Sequence, residues 1–282
     1  MKRLFFFLVL LLAASGCESM KNFFKPKNGK AEHSILPQTP NLTLDQVLTA
    51  INRNSVAIRN MATEDATLTV PDVSSWPLRA SITFERPKRL RLRGGATSLT
   101  GQEFDFGSND MHFWLWMRRQ EPKELYYCRH DQFATSPARM MVPIEPDWIL
   151  EALGIVEFRA DEQHEGPFPI DGDLYQIVTR RQTATGQFTK KTTINANGWI
   201  LRQEMYSPQN VMTALAVSSN HRYEKTSGVL YAKRVEVQCL GTEGTLIIDL
   251  GNPTFNSLTP IPSGLFTMPT HDGYRPVDLA AN

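Results

Sequence analysis

The chain has 282 residues, 41% of them hydrophobic, with 30 Lys and Arg against 29 Asp and Glu. That apolar share can fill a core, which excludes global disorder, and the near-zero charge gives no electrostatic reason to seek nucleic acid or anionic lipid. The length suits one large all-β domain or two small ones.

Lys2 and Arg3 precede an unbroken apolar run, Leu4 to Leu12. The run is too short to cross a bilayer and has the form of a secretion signal. Ala13-Ala14-Ser15-Gly16 then leads into Cys17 through small residues. The pattern resembles a bacterial lipoprotein signal over residues 1–16, which implies cleavage before Cys17 and acylation of that cysteine. An ordinary secretory signal with a chance cysteine is the alternative. Losing Lys2 and Arg3 leaves 28 basic against 29 acidic residues, a net charge of −1. No second apolar run is long enough to span a membrane, so the expected anchor is acyl chains alone. Glu18 stands where some bacteria use Asp to signal inner-membrane retention, which points to the outer membrane, facing the periplasm.

Residues 17–40 read as the lipidated cysteine and a flexible tether. The 23 residues from 18 to 40 are polar and carry several lysines and prolines, and as a free chain they would reach roughly 25 Å. A single domain is expected over 41–282. Thr43 is a plausible N-cap, with Gln46 three residues on. Leu44, Val47, Leu48, Ile51, Val56 and Ile58 then make an apolar stripe, predicting one amphipathic helix over Thr43–Met61.

From about residue 65 the period becomes two. Strands are predicted at 66–70, 78–86, 89–93, 102–107, 111–118 and 123–130, joined by short Pro- and Gly-bearing links that favour an antiparallel meander. Residues 131–172 break the pattern. They hold a short helix over 146–155, closed by Gly154 as a C-cap, and then an irregular loop. Strands resume at 174–180, 188–195, 199–206, 214–223, 230–240 and 245–251, with a hairpin at Asn197-Gly198. A sheet of about 11–12 strands curls, and the two helices are natural lids for its concave face. The tail from Pro262 has no strong pattern and is expected to pack loosely.

This order resembles the LolA/LolB-like superfamily of periplasmic lipoprotein carriers and receptors. ITFERPKRLRLRG (82–94) is similar to the family's second and third strands, and GQEFDFGSNDMHFWLWMRRQEPKELYYCRH (101–130) to the next three. The resemblance implies a mainly β half-barrel with helices over its mouth and an apolar cavity for acyl chains. It implies a role in lipoprotein or lipid transfer, not an enzyme. The partners would be acyl chains of a lipoprotein or phospholipid, and an envelope protein. The alternative on the same fold is a protein-interaction scaffold or stress sensor that binds no lipid.

The candidate cavity residues are Ile82, Phe84, Leu90, Leu92, Phe104, Phe106, Phe113, Leu115 and Trp148; the alternative for each is ordinary core. In 111–118, Met111, Phe113, Leu115 and Met117 share one face, and His112, Trp114, Trp116 and Arg118 the other. One face could line a cavity while the other packs under a helix or loop. Lys88, Arg89, Arg91 and Arg93 read as the solvent face of a strand. The Asp161–Glu165 run with His164 could bind a metal but reads as a solvated loop. With no His-Glu-x-x-His, nucleophile elbow or phosphate-cradling glycine loop, no catalytic residue, metal or cofactor is expected. Cys128 and Cys239 could pair in a disulfide or remain as buried thiols.

Overall fold

The computed structural model describes residues 33–39, 41–71, 77–95, 101–133, 136, 146–183, 186–240 and 244–281. The predicted signal, Cys17 and most of the tether lie outside the described residues. Helix α1 spans Leu44–Ala57, α2 is a single turn at His130–Phe133, and α3 spans Pro146–Ala152. The strands are β1 (Asn60–Thr69), β2 (Leu78–Glu85), β3 (Arg89–Gly95), β4 (Phe104–Ser108), β5 (His112–Met117), β6 (Glu124–Arg129), β7 (Gln163–Pro169) and β8 (Leu174–Thr183). They continue with β9 (Gly186–Asn195), β10 (Ile200–Tyr206), β11 (Met212–Glu224), β12 (Val229–Cys239), β13 (Gly244–Asp249), β14 (Thr254–Phe255) and β15 (Arg275–Asp278). No described helix is long and apolar enough to cross a membrane.

All fifteen strands form one sheet, ordered β15-β6-β5-β4-β3-β2-β1-β13-β12-β11-β10-β9-β8-β7, with β14 paired to β1. It is curved and open, a half-barrel. Two meanders join where β1 pairs with β13, and the connections follow from this order. After β6 the chain must travel from one end of the sheet to β7 at the other. It does so with α2 and α3, which places α3 over the concave face, against β11. After β13 it must return from the centre to β6, where β15 pairs in parallel. That return crosses the convex face.

Local rules hold where the chain is regular. Thr43 forms a capping box with Gln46: the Gln46 amide donates to Thr43 Oγ1 (3.3 Å) and the Thr43 amide to Gln46 Oε1 (3.0 Å). Gly154 has φ +88°, and the Ile155 amide donates to the Leu150 carbonyl (3.1 Å), a Schellman closure of α3. Gly198, with φ +80°, makes the β9–β10 turn, and a Cβ there would sit 2.6 Å from Ile35. Ile35 and Leu36 lie on that turn, and the Trp199 indole donates to the His33 carbonyl (3.0 Å). The end of the segment expected to be tether is therefore docked against the sheet.

Other expectations need correction. Among the described residues there are fifteen strands against about 11–12 expected: β14 and β15 are too short for a period to show, and β7 reads as loop. The helix predicted to Met61 ends at Ala57; Asn60 and Met61 open β1. Val56 is 55% exposed while Ser55 is buried, since Val47, Ile51 and Ser55 share a helical face and Val56 lies about 100° off it. The loop after α3 contains β7, whose Gly166, Pro167 and Pro169 are tolerated because it is an edge strand. The C-terminal tail is not loose: it covers the convex face of β3–β6.

Candidate functional site on the concave face

Cross-strand register puts the sequence candidates on one face. Ile82 pairs with Leu92, Leu92 with Phe106, and Phe106 with Leu115; Phe84 pairs with Leu90 in the next row. Ile82, Phe84, Leu90, Leu92 and Trp148 are buried in one cluster with Leu150 and Leu153 of the α3 segment. Phe104 and Phe106 are partly buried against it, as are Ile149, Met205 and Leu246, and Leu115 is half-buried. The floor of the curve is thus filled by α3, and the apolar surface continues outward as half-exposed strips at the mouth. Gly94 makes room there, since a Cβ would sit 2.3 Å from the Phe104 ring.

Phe113 is separated from this group. It packs with Tyr126, Cys128, Phe133 and Leu279 at the β6–β15 end, with Phe133 of α2 edge-on at 5.4 Å. Cys128 and Cys239 are not joined: neither is in a disulfide, and six strands separate β6 from β12 in the sheet order, whereas a bridge needs Cα atoms within about 7 Å. Burial pushes both thiols up, Cys239 to about 11.

The other half of the concave face is polar, which sequence reading missed. Lys190 on β9 pairs across to Met205 and Thr179, and Thr192 to Gln203 and Ile177. Lys190 Nζ donates to Glu151 Oε2 of α3 (2.5 Å), and the Gln203 amide donates to the Glu151 carbonyl (2.6 Å). Arg181 reaches Glu162 Oε1 (2.5 Å) and lies 3.9 Å from Glu151 Oε1. The signal for this half was in the alternation: Lys190 and Thr192 are in phase with inward-facing Ile194.

A small cleft lies between α1 and β10–β12, lined by Ile51, Asn54, Ser55, Ile200, His221 and Leu230 among others. Burial pushes the His221 imidazole below its ordinary value, against the opposing hydrogen bond to the Ile200 carbonyl (2.8 Å).

The convex face is built around Asp105. Its carboxylate accepts from Arg91 (2.7 Å), the Trp114 indole (3.1 Å) and Gln102 (3.0 Å). Arg91 also donates to the Leu265 carbonyl of the tail (2.8 Å). Arg91 is therefore enclosed under the tail instead of facing solvent, and Arg89 is held by Asp110 and Glu85. In the 161–165 run, Asp161 pairs with Arg159, Glu162 with Arg181 and Glu165 with Arg180, and His164 binds Thr179. Among the described residues no group of three His, Cys, Asp or Glu side chains could hold a metal.

The curved, open sheet has solved counterparts. A domain named for outer membrane lipoprotein sorting, from Vibrio parahaemolyticus, matches with TM-score 0.50 and 10% identity, over 77% of this chain and 94% of that one. The two share a fold. A LolA superfamily protein from Nitrosomonas europaea aligns over 78% of this chain and 97% of its own, at 14% identity and TM-score 0.48. No family model matches the sequence, and no curated protein does. The likeness is one of fold alone.

Proposed function

We propose that this chain is a non-enzymatic envelope lipoprotein that binds acyl chains on the concave face of its half-barrel and takes part in lipoprotein or lipid transfer. Residues 1–16 act as the signal, Cys17 carries the lipid anchor, 17–40 lead to the domain, and 41–282 form it, at the outer membrane facing the periplasm. The observation that carries the reading is the apolar surface that runs from the Ile82–Leu92 floor to half-exposed Phe104, Phe106, Leu115 and Leu246. Such a surface suits a flexible apolar chain, and Met205 beside it can adapt to varied shapes. Each buried methylene contributes roughly 0.8 kcal/mol, so a dozen would supply about 10 kcal/mol before losses. α3 is the element that must move. The lipoprotein-sorting domain of like fold supports the assignment at the level of architecture.

A second reading has its own support. Ile82, Phe84, Leu90, Leu92 and Trp148 already bury one another, as in a protein-interaction module whose interior holds no lipid. Native mass spectrometry of residues 18–282, exported to a bacterial periplasm and purified without detergent, separates the two. A retained mass near that of a phospholipid or an acylated peptide is expected. A bare protein mass that added lipid does not change would favour the interaction module.

A further inference from the structure

The concave face has an apolar part, on β1–β4 and β11–β13, and a part with buried polar side chains, on β8–β10 with Ser218 of β11, and α3 touches both. Trp148, Leu150 and Leu153 pack on the apolar floor, while Glu151 reaches Lys190 and its carbonyl reaches Gln203. A short segment thus carries one anionic group beside three apolar ones, the same order as the headgroup and acyl chains of a lipid.

We propose that the Lys190–Gln203 end of the concave face is a headgroup site for an acyl-bearing phosphodiester monoanion, a phospholipid, and that Glu151 of α3 occupies it in the closed chain. The proposal rests on the acyl-binding reading and specifies its polar end.

Charge balance selects the ligand class. Lys190 and Arg181 face Glu151 and Glu162. The Lys190 side chain is only 6% exposed and that of Glu162 only 1%, so an imbalance here is costly. If α3 withdraws with Glu151, the enclosed Lys190 loses its carboxylate partner, and a single negative charge replaces the one removed. A phosphodiester carries one; a diacylglycerol carries none, and a phosphate monoester approaches two.

Hydrogen bonding points the same way. Thr192 Oγ1, Ser218 Oγ, Gln203 Oε1 and Trp148 Nε1 are buried and unpartnered. Thr192, Gln203 and Ser218 belong to neighbouring strands β9, β10 and β11, and Gln203 is 0% exposed. Buried polar atoms are ordinarily paired. Two hydroxyls can donate to phosphodiester oxygens, and the Gln203 carbonyl oxygen can accept from a headgroup hydroxyl.

The test is calorimetric titration of the full-length chain, held in a non-ionic amphipol, with dihexanoylphosphatidylglycerol and with dihexanoylglycerol. The acyl chains are the same and only the phosphodiester headgroup differs. The phosphodiester is expected to bind about tenfold tighter or more. Glu151→Gln should tighten phosphodiester binding by several fold, because it removes the competing internal carboxylate. Lys190→Met should bring the ratio between the two lipids near one, and Lys190→Arg should keep it. Equal affinities in the unmodified chain, or weaker phosphodiester binding in Glu151→Gln, would overturn the headgroup site while leaving the acyl reading intact. Tighter binding of dihexanoylphosphatidic acid would overturn the monoanion assignment. Failure of both lipids to bind would overturn the acyl reading and this site together. Should Lys190→Met not fold, Glu151→Gln decides, since a gain in affinity cannot come from unfolding.

Discussion

Trp116 and His271 lie face to face, their ring centroids 3.8 Å apart and their planes 11° from parallel. Trp116 is on β5 and His271 is in the C-terminal tail, so this stack fastens the return crossing to the convex face. Tyr274 adds an edge contact to the same indole at 5.5 Å, and its hydroxyl donates to the Arg118 carbonyl (2.5 Å). His271→Ala should lower stability by about 1 kcal/mol, the worth of an aromatic pair beyond its area. Urea unfolding followed by tryptophan fluorescence measures this. An unchanged midpoint would mean that the tail is held elsewhere, by Arg91 and β15.

Acid should weaken the fold through two histidines. Burial pushes both His221 and His271 below the ordinary 6.5; for His271 the nearby Asp105 opposes that shift and Arg91 adds to it. A group whose folded pKa is lowered this way stays neutral in the native state while the unfolded chain takes up a proton. Its stabilising contribution is complete above pH 6.5 and declines as pH falls from there toward the lowered native value. The slope is at most about 1.4 kcal/mol per pH unit for each group. Unfolding at pH 7.5 and 5.5 should show a loss that shrinks in His221→Gln/His271→Gln. An equal loss in that double variant would assign the pH dependence to other groups.

Asp105 is the polar centre of the convex face, with its side chain 1% exposed. Asp105→Asn removes the charge that Arg91 requires while leaving Arg91 enclosed beneath the tail. Breaking one side of a buried pair costs about 3–5 kcal/mol, and thermal melts should show it. Replacing both partners, Arg91→Met with Asp105→Leu, should recover much of that loss. Next to this pair, a Cβ at Gly107 would sit 2.1 Å from the Trp114 ring, so Gly107→Ala should also destabilise, by about 1–3 kcal/mol. A neutral Gly107→Ala would mean that the indole can shift within its cluster.

What the sequence made legible follows from periodicity. β3 alternates cleanly, the bounds predicted for β2, β5 and β9–β13 fall within two residues of those observed, the Thr43 cap and Gly154 stop have local signatures, and the Asn197-Gly198 turn needs only its own residues. Arg91 shows where this fails. By alternation it is outward, and it is; that another segment lies over it depends on a chain return 174 residues away in sequence, at Leu265. β7 was hidden because an edge strand accepts prolines that argue against an inner one. Phe113 has the correct face but the wrong neighbourhood, because β15 and α2 enclose it and neither has a period to read. The Glu151–Lys190 contact joins a helix to a strand across a face, and no spacing rule encodes it.

The distinction between floor and mouth gives the last prediction. Leu90 is 2% exposed on the floor, while Phe106 is half-buried at the mouth and packs against the same cluster. If both merely build the core, their truncations should differ only by buried volume. If the mouth receives a ligand, the two effects should separate. Leu90→Ala should cost about 2–5 kcal/mol and should leave the surviving folded fraction able to bind. Phe106→Ser should cost less, because part of its ring already meets water, and should reduce lipid retention several fold by breaking the Leu92–Phe106–Leu115 row. Melting curves and native mass spectrometry on the same two variants read the two quantities separately. Retention unchanged in Phe106→Ser would remove this row from the ligand's path and leave Met205 and Leu246, on the opposite side of the curve, as the surface to test next.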